Sequence, residues 1–283
     1  MYFKNTSNTY TPHLTSNYKQ VKKDTTYHNK VDLKQSLRFN TNNNFIEYLK
    51  SIFPTDKVEN IINLYQVGTA TFWNNATIFW QIDNFKKIRS GKMMMYSKNG
   101  KRSKIINWMH SYQIKNNQLR EFNLSQCFFG LHLINKSNNA IAIVESEKTA
   151  CIMSILFDKY IWLAAGSLNG INEKKLSPIK DRRIILYPDL GVSRINENPY
   201  TQWKKKSDDL FRKGYNISTS DLLESKATEE QKTKGYDIAD YFLKVNKERI
   251  IINDIKSENL NKLLKLNIQL QNLIEVFDLE LMR

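Results

Sequence analysis

Between residues 140 and 154 the chain reads AIAIVESEKTACIMS: an aliphatic run, a glutamate where it stops, and a helix-like segment directly after. The same order returns in RRIILYPDLG, where Asp189 follows an aliphatic run and Gly191 permits close approach of backbone or ligand. A third acidic cluster, GYDIADYF, supplies Asp237 and Asp240 three residues apart. A single acid at a strand end is ordinarily a helix N-cap or a solvated group. Three of them in one alternating pattern point to shared chemistry. Carboxylates on neighbouring strand ends repel unless a cation or proton lies between them. Mg²⁺ takes oxygen ligands, commonly one or two carboxylates together with substrate phosphates. The residue types therefore point to metal-assisted chemistry on a phosphodiester.

The charge distribution suits such a substrate. The 283 residues carry 43 basic and 28 acidic side chains, a net charge of +15, which favours polyanionic partners. No acid lies between Asp83 and Glu121, yet ten lysines and arginines do, interleaved with Phe85, Tyr96, Trp108 and Tyr112. This segment is expected to contact a phosphate backbone. Cys127 and Cys151 sit in apolar surroundings, and the four histidines show no zinc-ligand spacing. No apolar run reaches the roughly 20 residues that span a bilayer, and MYFKNTSNTY lacks a secretory pattern, so a cytoplasmic location is the default.

These side chains must be positioned by regular elements. Residues 1–35 are polar without sustained apolar periodicity and read as a flexible arm. Helical spacing begins at NNFIEYLKSIF, stops at Pro54 and restarts in PTDKVENIINLY. ATIFWQID and KMMMYS, followed by the turn KNGK, predict a hairpin or meander inside a small basic mixed region, residues 36–138. From 139 to 245 short aliphatic runs alternate with helices: AIAIV, YIWLAA, RRIILY and YNISTSDLL as strands, with a helix over NPYTQWKKKSDDLFRKG ending at Gly214. That alternation predicts an α/β layer, a parallel sheet flanked by helices, with ligands beyond the strands' carboxyl ends. Apolar periodicity over residues 246–283 predicts a C-terminal helix.

Together AIAIVESEKTA, WLAAGSLNG, RRIILYPDLG and GYDIADYF resemble a TOPRIM domain, the metal-binding module of DnaG-type primases and of type IA and II topoisomerases. Upstream, GTATFWNNATIFWQID, SGKMMMYSKNGKR and FNLSQCFFGLHLI resemble the region before TOPRIM in primase-like proteins of bacterial mobile elements. The resemblance covers residues 40–245. It implies that Glu145 and Asp189 are catalytic and hold Mg²⁺ or Mn²⁺, with Asp237 and Asp240 as further ligands. It also implies that Lys92, Lys98, Lys101, Arg102 and Lys104 bind nucleic acid. The implied partners are single-stranded DNA, nucleotides and a replicative helicase. Two positions depart from the family: Gly191 replaces the second acid of its Asp-x-Asp, and Ser146 stands where primases carry glycine. The chain also has no cysteines for the zinc ribbon with which primases often begin.

The implied activity is primer synthesis from single-stranded template during replication of a mobile element. A DNA-binding module of the same fold with weakened catalysis is the alternative favoured by Gly191. A nuclease using the same carboxylates is a third, which no feature of the sequence specifically supports.

Overall fold

The computed structural model describes residues 24–39, 42–192 and 197–244. The C-terminal helix expected over 246–283 lies outside them, as do residues 1–23 of the expected arm.

The first layer is an antiparallel meander of β1 (Val67–Ala70), β2 (Ala76–Ile82), β3 (Ile88–Tyr96) and β4 (Arg102–Trp108), in that order across the sheet. Its central strand β2 is buried throughout because both faces are covered, and alternate residues serve the two faces. Phe79 faces α2 (Asn44–Lys50) and α3 (Thr55–Tyr65), whereas Ile78, Trp80 and Ile82 form a smaller cluster with Ile88, Met93 and Met109. The β2–β3 turn is closed by Asp83, which accepts hydrogen bonds from the backbone N–H groups of Phe85 and Lys87, both at 2.9 Å. At the β3–β4 turn Gly100 adopts φ 75°, and a Cβ there would meet the Tyr48 ring at 2.6 Å. The tip of this hairpin therefore packs on α2 only as glycine.

Part of the expected arm belongs to this layer. Residues 30–37 form helix α1 (Lys30–Leu37), capped by Asn29, and Ser36 Oγ accepts a 2.9 Å hydrogen bond from Trp80 Nε1. His28 forms an antiparallel bridge with Ile88. The helix is fixed by these long-range contacts, which weak local periodicity does not disclose. Helix α4 (Met109–Lys115) follows β4, and Gln113 Nε2 donates to Asp32 on α1 at 3.0 Å.

The second layer alternates as expected: β5 (Ile141–Val144), α5 (Glu147–Leu156), β6 (Ile161–Ala164), α6 (Glu173–Leu176), β7 (Ile184–Leu186), α7 (Pro199–Arg212) and β8 (Ile217–Thr219). All strand pairs are parallel in the order β6-β5-β7-β8. Every residue of β5 and β7 is buried, so each large aliphatic side chain there contributes roughly 1.5–3 kcal/mol. Gly214 ends α7 with φ 85°. Two short helices, α8 (Leu222–Lys226) and α9 (Glu229–Lys234), then lead to helical residues 238–244.

One apolar core joins the layers. Phe79 and Met94 of the meander share it with Phe129, Ile143 and Leu163. Tyr65 Oη donates to the carbonyl of Trp162 at 2.7 Å, and Phe129 forms an antiparallel bridge with Ala164 beside β6. Cys127 and Cys151 are buried and unpaired in this core. Among the described residues no helix is long and apolar enough to cross a membrane.

Candidate active site

Strand order decides where the acids lie. β5 and β7 are hydrogen-bonded neighbours, with Ile143 opposite Leu186. Glu145 follows β5 and Asp189 follows β7, so both stand beyond the carboxyl edge of the sheet. Asp237 and Asp240 reach the same edge through a backbone contact: Leu190 N–H donates to the carbonyl of Tyr236 at 2.8 Å. The aspartates of GYDIADYF are thereby set against the PDLG segment.

Glu145 is not the N-cap of α5. Ser146 takes that role, its hydroxyl accepting from Thr149 N–H at 3.2 Å. Glu145 is left half-buried, near the backbone N–H of Leu168. Burial pushes its pKa up and Glu147 adds to the rise, while Arg102 and Lys92 act against it. The loop carrying Leu168 is held by Trp203 Nε1, which donates to the Leu168 carbonyl at 2.8 Å. It is held also by Gly166 N–H, which donates to the Glu145 carbonyl at 2.9 Å.

Asp189 is the most strained electrostatically. Its Oδ1 is sealed from solvent and has no hydrogen-bond partner, although other atoms of the residue are partly exposed. Burial, then the charges of Asp237, Glu145 and Asp240, raise its pKa well above the usual carboxylate range. Asp240 is raised as well, by burial and by Asp237, with Lys148 opposing. Asp237 is the best satisfied of the four: it accepts from Thr149 Oγ1 at 2.5 Å and from Asp240 N–H at 2.8 Å. Each acid influences at least one other, which is the condition under which a proton or cation is retained.

Among the described residues no group of three or more His, Cys, Asp or Glu side chains is drawn together tightly enough to hold a metal unaided. The unpartnered Oδ1 of Asp189 is nonetheless a free hard-oxygen ligand, so the residues present fit a cation that also takes water and phosphate oxygens.

The basic residues divide. Lys98, Lys101, Arg102 and Lys104 are exposed on the β3–β4 turn and on β4, one of the sheet's two outer strands. Arg102 is also near enough to lower the pKa of Glu145 and Asp189. Lys92 is elsewhere. Buried on β3, its Nζ donates to both carboxylate oxygens of Glu147 at 3.1 Å and to the Gly166 carbonyl at 3.0 Å. It ties the two sheets together behind Glu145 and presents no charge to an external strand. Arg89 is similarly engaged, with Asp83 at 2.6 Å.

Sequence reasoning passed over Glu147 and Lys148. Glu147 is 1% exposed and is Lys92's counterion; the available signal was a lone lysine within the otherwise apolar strand SGKMMMY. Lys148 sits over the Tyr48 ring, 5.8 Å from its centroid, and faces Asp240.

The family DUF6371, a domain of unknown function, matches residues 43–190. That span holds the meander, Glu145 and Asp189, and stops before Asp237 and Asp240. No curated protein matches the chain. Among solved structures it is similar to the Aquifex aeolicus primase, zinc-binding and RNA polymerase domains, at 14% identity and a TM-score of 0.44. The match covers 79% of this chain and 59% of that one. It is similar also to the primase fragment of the bacteriophage T7 primase-helicase protein, at 12% identity and a TM-score of 0.36, covering 62% and 70%.

Proposed function

The chain belongs to the DUF6371 family, and we propose that it is a primase-like nucleotidyltransferase acting on single-stranded DNA with divalent metal. The observation that supports this reading is the sealed, unpartnered Asp189 oxygen beside Glu145 on one sheet edge, with Arg102 facing both acids. In this reading Glu145 and Asp189 hold Mg²⁺ or Mn²⁺, with Asp237 and Asp240 available to complete the shell. When bound, the ion neutralises triphosphate charge and activates the attacking 3′-hydroxyl. The protein's own side chains do the rest. Arg102 draws a nucleotide phosphate toward the edge, and Lys148 keeps the Asp240 side charge-balanced. Lys98, Lys101 and Lys104 hold the template backbone along β4. Gly166 N–H fixes the Glu145 backbone, which limits how far its carboxylate must reorganise as charge develops.

A binding module with weakened catalysis is the second reading. It is supported by Gly191, where a Cβ would approach Pro199 Cδ to 3.0 Å. The backbone is packed as though no second acid belongs there.

One assay separates them. The protein is incubated with single-stranded template, labelled nucleotides and Mg²⁺ or Mn²⁺, alongside Glu145→Gln. Template-dependent extension that Glu145→Gln abolishes, with DNA binding retained, supports the enzyme. A mobility shift without extension in either metal overturns it in favour of the module.

A further inference from the structure

Beside the antiparallel meander, with none of the four carboxylates in its lining, lies a cavity of about 440 Å³. Its walls come from α1, the end of α3, the β2–β3 turn and the segment before β5. Lys30, Lys34, Lys86 and Lys136 line it, and no acid does. None of the four forms an ion pair among the described residues. Asp32, the acid on α1, instead accepts from Gln113 of α4. His132 adds wall rather than charge: its Nε2 lies 3.0 Å from the Leu64 carbonyl, and burial lowers its pKa.

Four unneutralised ammonium groups around one concavity raise the local concentration of an anion. The cavity is far larger than one phosphate, and between the lysines its lining is apolar: Leu33, Leu64, Ile82 and Ile88. Such a mixture suits a ligand with a flat apolar ring and a charged tail. The amides of Asn63, Gln66 and Asn135 also line it, and their free polar atoms can address the edge of a base, although Gln66 Nε2 already donates to the Asn63 carbonyl at 2.6 Å. Asn135 is already anchored, its Nδ2 donating to the Asn84 carbonyl at 2.7 Å.

We propose that this cavity binds a free nucleoside polyphosphate without metal, its phosphates held by the four lysines and its base against the aliphatic wall. The site is separate from the carboxylate edge.

The test is calorimetric titration of the full chain in EDTA with AMP, ADP, ATP and adenosine, and with a dodecathymidylate. Affinity is expected to rise from AMP to ATP and to be absent for adenosine. Lys34→Ala/Lys136→Ala should weaken ATP binding by about tenfold or more, while Lys57→Ala, on the exposed start of α3, should leave it unchanged. Both substituted lysines of the double variant are solvent-exposed, and an unaltered circular dichroism spectrum confirms that it is folded. Equal affinity for ATP and adenosine, or an unaffected double variant, overturns the site. Oligonucleotide binding that the double variant loses, with no ATP binding by the wild type, overturns the free nucleotide in favour of a strand. EDTA removes the metal required by the proposed transferase, so failure of the extension assay has no bearing on this titration.

Discussion

Asp189 holds an ionisable group where ionisation is costly, and this gives it a pH signature. Burial and three neighbouring acids raise its pKa, so the folded chain keeps a proton that the unfolded chain releases. The associated stability is fully present below the ordinary carboxylate pKa, about 4, and is lost as pH rises through the higher folded value. Asp189→Asn removes that loss. Its melting temperature should exceed the wild type's at pH 8 by about 2–4 °C, with the gap closing toward about pH 4. An unchanging gap across that range would refute the assignment. Lys92 poses the opposite case, a buried charge already satisfied. Lys92→Met strands the Glu147 carboxylate and should cost about 3–5 kcal/mol in urea unfolding, much of it regained in Lys92→Met/Glu147→Leu. If the double variant is as unstable as the single one, the pair is not the source of the loss. That Glu145 and Asp189 stand beyond neighbouring strand ends was legible because each follows an aliphatic run. The Lys92 partnership was not, since its counterion lies 55 residues away and a count of charges does not say which face of a strand they occupy.

At the scale of elements, the outer strand β4 decides how much of the acid-free segment is available to a ligand. Among the described residues β4 pairs only with β3, and Lys98, Lys101 and Lys104 project from it and its turn into solvent together with the exposed Ile105 and Ile106. If these lysines contact single-stranded DNA, Lys98→Ala/Lys101→Ala/Lys104→Ala weakens binding. It should also flatten the log–log salt slope by about 2, at roughly 0.7 per phosphate contact. Filter binding between low and moderate salt reads both quantities, and an unaltered slope in a folded variant removes β4 from the interface. The meander and the βα alternation were readable because short apolar runs, closed by turn residues in the first case and separated by helices in the second, stand out in the chain. Helix α1 was not, because its order comes from Ser36 meeting Trp80 and Asp32 meeting Gln113, across 44 and 81 residues.

For the molecule as a whole, the switch to alternating aliphatic runs and helices set an expected domain boundary near residue 139, close to where the antiparallel layer gives way to the parallel one. Packing does not follow that change. Phe79 and Met94 lie in the same core as Ile143 and Leu163, Tyr65 bonds to Trp162, and Lys92 crosses to Glu147. Removing either layer would expose the apolar face of the other and leave one member of the ion pair without its partner. The two are therefore expected to unfold as a single cooperative unit. The check is native-state hydrogen exchange in increasing denaturant. Peptides covering β2 and β3 should converge on the same opening free energy and the same denaturant dependence as peptides covering β5 and β7. Lys92→Met, although its substitution lies in the meander, should lower protection in β5 as much as in β3. Protection in β5 that survives when β3 has opened would show that the parallel layer stands alone, and the carboxylate edge would then owe its geometry to that layer only.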